Sequence, residues 1–487
     1  MSQAILIGSG FGGLAAALRA QALGYETTVI ERLDQPGGRA GVVKRNGYTF
    51  DLGPTIITAP FLIDELFRIH DRQRSDYVQL RKLDPWYRIR YPDGQTLRFS
   101  DDLNVMKQNL KKFSPLASDR YQQYLDDTET IFEVGFEQLA TEPFDSLWSM
   151  IRALPDLVSN RAYQSVYKSV SNYFDSNHLR QAFSFHPLLI GGNPLTASSI
   201  YRLIHVLERK WGISYAMGGT NQIVESLVSL LEETGGSIEY NSTIEEIIVE
   251  DDTVVGVKDQ GGQIRKADLV ISNADPIQLY KRMLPDSYSP AGLRNVDNYE
   301  QSMGLFVLYF GTNRQYDDIY HHEILLSDHY QEVLRDIFDR QVIPDELSMY
   351  LHRPTATDDN LAPDGHDTMY VLVPVPNLQG GQDWDETGPK LRDRVLDELE
   401  RRVCPGLPES ITTSFYRTPD DFKNDYLSEA GSGFSIQPNL TQSAWFRFHN
   451  NAPLKNLYLV GAGTHPGAGV PGVLCSAKVM QNSLENG

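Results

Sequence analysis

The stretch "AILIGSGFGGLAAALRAQALGYETTVIER", residues 4–32, decides the fold. Ala4-Ile5-Leu6-Ile7 is a short apolar run of the kind that forms a strand buried on both faces. Gly8, Gly10 and Gly13 follow in GxGxxG spacing, and Leu14 to Leu18 open a helix that ends near Gly24. Thr27-Thr28-Val29-Ile30 predicts a second strand, which finishes at Glu31, eighteen residues beyond Gly13. Gly8 permits the tight turn, Gly10 lets a pyrophosphate approach the backbone, and Gly13 lets helix and strand pack closely. The helix N-terminus, with Phe11 in its first turn, offers N–H donors and a positive dipole end to phosphate. Glu31 is placed to accept from adenosine ribose hydroxyls and would repel a 2′-phosphate, which disfavours an NADP-type ligand.

The next residues separate FAD from NAD. "ERLDQPGGRAG" puts Arg32, Gly38 and Arg39 directly behind the ribose acid, and "GYTFDLGPTII" then offers Gly53, Pro54 and Thr55. A plain NAD fold would run from the second strand into another helix. Here a glycine-arginine loop brings a fixed positive charge towards a pyrophosphate or flavin, and FAD is the expected cofactor.

The far end of the chain carries a matching stretch, "NLYLVGAGTHPGAGVPGVLCSA", residues 456–477. Leu457–Val460 predicts a last strand of the nucleotide domain. The backbone of Gly461 to Thr464, Gly463 included, is then placed to bind phosphate or ribitol beside the first glycine turn. A helix starting after Pro471-Gly472, with Val473 in its first turn, would aim its positive end at the flavin ring. Chain ends usually relax their sequence demands; this one is strict because it closes a cofactor site.

Composition sets the remaining bounds. The chain has 487 residues, 41% hydrophobic and 22% charged, and no run long enough to span a bilayer. "MGLFVLYF" from Met303 reads as a buried strand. A net charge of -20 argues against nucleic acid as a partner and against simple attraction to anionic lipid. Cys404 and Cys475, the two cysteines, lack a CxxC pattern, which fits a reducing cytoplasm and predicts no metal cluster. The N-terminal stretch has no basic n-region and reads as strand and helix, not as a signal peptide.

Between these ends the pattern is helical from Thr58 to about Arg209, interrupted by a hairpin at "WYRIRYPDGQTLRF" that turns at Pro92-Asp93-Gly94. "NQIVESLVSLLEETGG" is an amphipathic helix, and alternating strands follow it up to "ADLVISNA". The predicted class is α/β: a Rossmann-like FAD-binding domain made of residues 1–80, 212–290 and 450–487. A discontinuous α+β substrate domain would take residues 81–211 and 291–449.

Across nearly its whole length the chain resembles the bacterial-type phytoene desaturases, a carotenoid branch of the FAD-dependent amine oxidase-like flavoproteins. The resemblance is carried by "GSGFGGLAAA", "ERLDQPGGRAG", "FDLGPTIIT", "AFSFHPLLIGGNP", "SSIYRLIHVLE", "SMGLFVLYFG", "SMYLHRP", "LTQSAWFRFHN" and "NLYLVGAGTHPGAGVPGV". It implies non-covalent FAD and stepwise dehydrogenation of 15-cis-phytoene, through C40 carotenoid intermediates, to neurosporene or lycopene. It further implies a cytoplasmic protein attached peripherally to the membrane that holds the substrate, with oxygen or a quinone as electron acceptor. By the same resemblance, Gly8, Gly10 and Gly13 lie at phosphate, Glu31 at ribose and Arg39 near the flavin. Ile244 matches a position whose main chain meets adenine, and Gly463 and Val473 match pyrophosphate and flavin-edge positions. Ser9 and Cys475 are local departures.

In the implied reaction a hydride leaves an allylic C–H for the flavin, which carries the hard chemistry. Protein side chains with a direct role are therefore few. Arg152, in "LWSMIRALPDL", is a candidate to order the flavin edge or an ordinary surface arginine. His186, in "AFSFHPLL", is a candidate proton acceptor or a satisfied core histidine. "FDSLWSMIRALPDLV", residues 144–158, is either an interfacial helix at a tunnel mouth or an internal lid. A carotenoid cis–trans isomerase, a soluble amine oxidase and a non-catalytic prenyl-lipid escort protein stand as alternatives.

Overall fold

The computed structural model describes residues 2–138, 140–143, 161–285, 288 and 296–486. Its nucleotide-type half is a five-stranded, wholly parallel sheet in the order Leu457–Leu459, Leu269–Ser272, Gln3–Ile7, Glu26–Ile30, Ser237–Glu239. Both faces of this sheet are covered, which is why its strands are apolar at consecutive positions. Ala4 and Leu6 point into one core, with Val29, Leu269 and Ile271; Ile5 and Ile7 point into the other, with Ile30 and Val270.

The first core is roofed by three helices: Phe11–Ala22, Asn221–Glu233 and Val470–Asn486. Ala15, Ala16, Ala17 and Ala20 are buried, and their small side chains let the first helix lie close to its neighbours. The second core lies under an antiparallel sheet of Ile244–Glu250, Thr253–Asp259 and Ile264–Lys266. Replacing the fully buried Leu6 by Ala would cost about 2–5 kcal/mol.

The other half centres on a seven-stranded sheet ordered Ile411–Arg417, Gly304–Thr312, Asp367–Val375, Met349–His352, His322–Leu325, Tyr87–Arg90, Thr96–Phe99. Neighbours are antiparallel except for His322–Leu325 against Tyr87–Arg90. The run "MGLFVLYF" forms a central strand here. Phe306, Leu308 and Phe310 pack with Leu391, Val395 and Leu399 of the helix Trp384–Arg402, while Leu305, Val307 and Tyr309 face the opposite way. The hairpin Tyr87–Arg90/Thr96–Phe99 is bolted to the sheet by the fully buried Glu323, whose carboxylate accepts from Arg88 Nε at 2.9 Å and Arg90 Nε at 3.0 Å.

Strand pairing lines up one aromatic row across five strands. His322 opposes His352, His352 opposes Tyr370, Tyr370 opposes Tyr309 and Tyr309 opposes Phe415. Because side chains alternate along each strand, this row sits on the same sheet face as Leu305 and Val307. No described helix is long and apolar enough to cross a membrane.

Candidate functional site

At the end of the strand Gln3–Ile7 the chain turns at Gly8, with φ +92°, and enters the helix Phe11–Ala22 through Gly10. Gly13 lies where helix meets strand: a Cβ there would fall 2.0 Å from Gly8 O. Gly13 thus acts through packing, and it does not line the cavity described below. Gly10 has no capping side chain, so the first helical N–H groups stay available to an anion.

Glu31, at the C-terminal end of the second strand, is buried. Its Oε2 accepts from Ser9 N at 2.8 Å and Ser9 Oγ at 2.6 Å, and its Oε1 accepts from Leu33 N at 2.8 Å. A carboxylate has about four lone-pair sites, so a ribose hydroxyl still finds an acceptor. Ser9, a departure in sequence, has a clear use here: it fixes the orientation of the Glu31 carboxylate.

The C-terminal loop lies against this turn, as its glycines suggested. Asn273, just beyond the strand Leu269–Ser272, sits between the two loops and donates to Val460 O at 3.1 Å. A Cβ on Gly10, Gly12 or Gly461 would come within 2.8, 2.8 or 2.3 Å of the Asn273 amide. Thr464 is buried, its Oγ1 donating to Gly461 O at 2.9 Å; it holds the turn from behind and does not line the cavity. The last helix begins at Val470, slightly earlier than its prolyl-glycine suggests, so Pro471, Gly472 and Val473 all fall in the first turn. Proline costs no helical hydrogen bond there.

The glycine-arginine loop closes a third side. Gly37 N–H donates to Ser9 O at 3.0 Å, and Gly38–Ala40 forms a single 3-10 turn. Gly53 passes so close that a Cβ would lie 1.9 Å from Arg39 O. The Arg39 guanidinium donates to Ser428 Oγ and lies 5.8 Å from the Tyr426 ring. Burial pushes its pKa down while Asp275 pulls it up, and its Nε has no partner among the described residues. Arg32 donates to the carbonyls of Asn424 and Asp425. Below the loop, buried Asp51 accepts from Thr220 N at 2.9 Å and Asn221 N at 3.2 Å, and burial pushes its carboxyl up to about 6.

These loops form one end of a cavity of about 1310 Å³. Gly8, Gly10, Phe11, Glu31, Arg32, Gly38, Arg39, Gly53, Pro54, Thr55, Ile244, Gly461, Gly463, Gly472 and Val473 all line it. The other end is apolar and is floored by the seven-stranded sheet, through Leu305, Val307, Ile324, Leu326 and Leu372. At the junction Thr55 Oγ1 bonds the hydroxyls of Tyr350 at 2.9 Å and Tyr370 at 2.8 Å. Burial pushes both phenols above their usual range, so they stay neutral. Cofactor and ligand pockets commonly measure about 300–1,000 Å³, so this one has room for a second molecule beside a dinucleotide.

The glycine cradle, the carboxylate at Glu31 and the unpartnered Arg39 Nε fit a flavin dinucleotide. His186 lies elsewhere. It is fully buried, does not line the cavity, and meets Glu208 Oε2 at 3.1 Å in a cluster with Tyr87 and His205. Burial alone would raise the Glu208 pKa, but His186 and His205 outweigh it and hold the carboxyl down at about 2. This is the bonding of a core histidine. Arg152 and the stretch 144–158 lie outside the described residues.

Sequence reasoning passed over Ser9, Asn273 and Asp51 as site residues. Asn273 had a signal, a polar residue directly after a buried strand that opens on small residues. Asp51 had none, because its partners are main-chain groups at Thr220 and Asn221, far along the chain.

Comparison with known proteins agrees with this geometry. Residues 11–478 match the model of the flavin containing amine oxidoreductase family. The chain is 46% identical over 489 aligned residues to a phytoene desaturase (lycopene-forming) of Pseudescherichia vulneris, covering 99% of each chain. It is 42% identical to a phytoene desaturase (neurosporene-forming) of Cereibacter sphaeroides, over 98% of this chain and 93% of the relative. An oxidoreductase from Methanosarcina mazei superposes with a TM-score of 0.66 over all of both chains at 16% identity, a likeness of fold alone. With a two-loop glycine cradle built for FAD and a family match spanning almost every residue, the chain belongs to the flavin containing amine oxidoreductases, in the branch of the phytoene desaturases.

Proposed function

We propose that this protein dehydrogenates 15-cis-phytoene in steps, yielding neurosporene and lycopene. The observation that carries the reading is the two-part cavity, whose glycine-lined end runs on into an apolar end floored by Leu305, Val307 and Leu372. FAD, when bound, supplies the two-electron acceptor. The remaining work is the chain's own. The glycine turns, Glu31 and Arg39 hold the dinucleotide end, and residues 1–80, 212–290 and 450–487 make up the cofactor domain. Residues 81–211 and 291–449 supply the substrate walls.

Those walls hold a hydrocarbon by shape and by exclusion of water, and fix which carbon meets the cofactor. Among the described residues the polar groups at the junction include the hydroxyls of Thr55, Tyr309, Tyr350 and Tyr370, with Ser348 beside them. These are neutral groups that orient without binding charge.

Substrate solubility sets the location. At about 0.8 kcal/mol per buried CH₂, a forty-carbon hydrocarbon prefers lipid to water by tens of kcal/mol. The enzyme takes it from the bilayer as a peripheral protein on the cytoplasmic face, with oxygen or a quinone as terminal acceptor. The test is incubation of FAD-loaded protein with phytoene in liposomes. Products absorbing at longer wavelength are expected. Unchanged phytoene, or isomers with no lengthened chromophore, would overturn the reading.

A further inference from the structure

Three imidazoles meet behind the cavity wall and are not used by the chemistry above. His321, His322 and His352 are 4%, 0% and 1% exposed. Strand pairing places His322 opposite His352, and His321 precedes the strand His322–Leu325. One nitrogen of each ring lies within 4.8 Å of the other two. Ring centroids are 4.5 Å apart for His321–His322, 4.9 Å for His321–His352 and 5.3 Å for His322–His352.

Two of the three outward nitrogens are already held, while His352 Nδ1 has no partner among the described residues. His321 Nδ1 bonds Thr357 Oγ1 at 2.6 Å, and His322 Nδ1 bonds the Tyr350 hydroxyl at 2.7 Å. His322 Nε2 is left buried with no partner among the described residues. His321 Nε2 and His352 Nε2 stand 3.1 Å apart, a hydrogen bond that a bound ion would replace. Two imidazole nitrogens on one tetrahedral Zn²⁺, each at about 2.0–2.1 Å, would be separated by roughly 3.3 Å. Metal-bound histidines characteristically have the second ring nitrogen fixed by an oxygen, the arrangement seen at Thr357 and Tyr350.

We propose that His321, His322 and His352 form a tri-histidine site for a borderline divalent transition metal, Zn²⁺ or Co²⁺. Ligation runs through the Nε2 atoms, with a water or hydroxide in the fourth position. Three nitrogen ligands without carboxylate or thiolate select such an ion over Mg²⁺ or Ca²⁺. The ion would satisfy the stranded His322 nitrogen and brace Tyr350, and through it the Thr55–Tyr370 junction of the cavity wall. The other buried cluster, His186–His205–Glu208, differs in that its carboxylate already accepts from both imidazoles.

The test uses full-length, FAD-loaded protein made in zinc- or cobalt-supplemented medium and purified without a metal-bearing column. Elemental analysis should find about one metal ion per chain, and the cobalt form should show visible d–d bands to the red of the flavin absorption. The double variant H322A/H352A should lose the metal while H329A, an exposed histidine control, keeps it. FAD content reports whether each variant folds. Should the double variant fail to fold, the cobalt spectrum of the wild type decides, and absence of d–d bands overturns the site. Metal-free wild-type protein, or equal metal in the double variant, overturns it as well; a direct hydrogen bond between His321 and His352 would give that metal-free result.

Discussion

Gly461→Ala tests whether both glycine loops are built as one cradle. Gly461 has φ +110°, a conformation in which an L side chain costs roughly 1–2 kcal/mol. The new Cβ would stand 2.3 Å from Asn273 Nδ2, so the amide must swing away and give up its bond to Val460 O, a loss of about 1 kcal/mol. Together these come to about 2–3 kcal/mol. If the loop retreats to relieve them, the cost falls on the cofactor, and the FAD dissociation constant rises roughly 30- to 150-fold. If the loop stays, the same energy appears as lost folding stability. Titration of apoprotein with FAD, followed by fluorescence quenching, reads the first. Denaturant unfolding reads the second. Gly94→Ala is the control: its φ is +85°, but a Cβ there meets nothing within 4 Å at a hairpin tip far from the cavity. It should lose about 1 kcal/mol of stability and bind FAD normally. A G461A protein matching the wild type in both affinity and stability would refute the account of the cradle.

Three further outcomes follow from the same geometry. Ser9→Ala removes a hydroxyl bond to the Glu31 carboxylate, worth about 1.5–3 kcal/mol, and should weaken FAD binding about tenfold or more in the same titration. Leu372→Trp fills the apolar end of the cavity and should abolish phytoene conversion while the purified protein stays fully loaded with flavin, checked by its visible spectrum. Asp51 has a folded-state pKa raised to about 6, above its unfolded value, so ionisation destabilises the fold. Relative to Asp51→Asn, the wild type should therefore lose stability as pH rises from about 4 to 6, by up to about 3 kcal/mol, and stay level above. Thermal melts of both proteins across that range check the sign.

Much of the cofactor end was legible because its signals are local. The strand, the glycines, the helix and Glu31 fall within 29 consecutive residues, and Gly13 answers a backbone demand only a few residues away, at Gly8 O. The C-terminal loop was legible for the same reason, its glycines crowding where a chain end normally relaxes. Asn273 and Asp51 escaped because their work lies between segments far apart in sequence; Asn273 reaches Val460, and Asp51 reaches Thr220. The histidine triad was hidden likewise, since only the pairing of His322–Leu325 with Met349–His352 brings it together. His186 shows the converse limit. A histidine among apolar residues is compatible with a proton acceptor or with a satisfied core histidine, and its bond to Glu208 becomes visible only in the fold.

The most direct test of a shared flavin and hydrocarbon chamber is an anaerobic single turnover. FAD-loaded protein is mixed with phytoene liposomes while flavin and polyene absorbance are followed together. The flavin band should bleach in step with the appearance of a longer polyene and return when oxygen or a quinone is admitted. Conversion of phytoene while the flavin band stays unchanged, or by protein stripped of FAD, would contradict it.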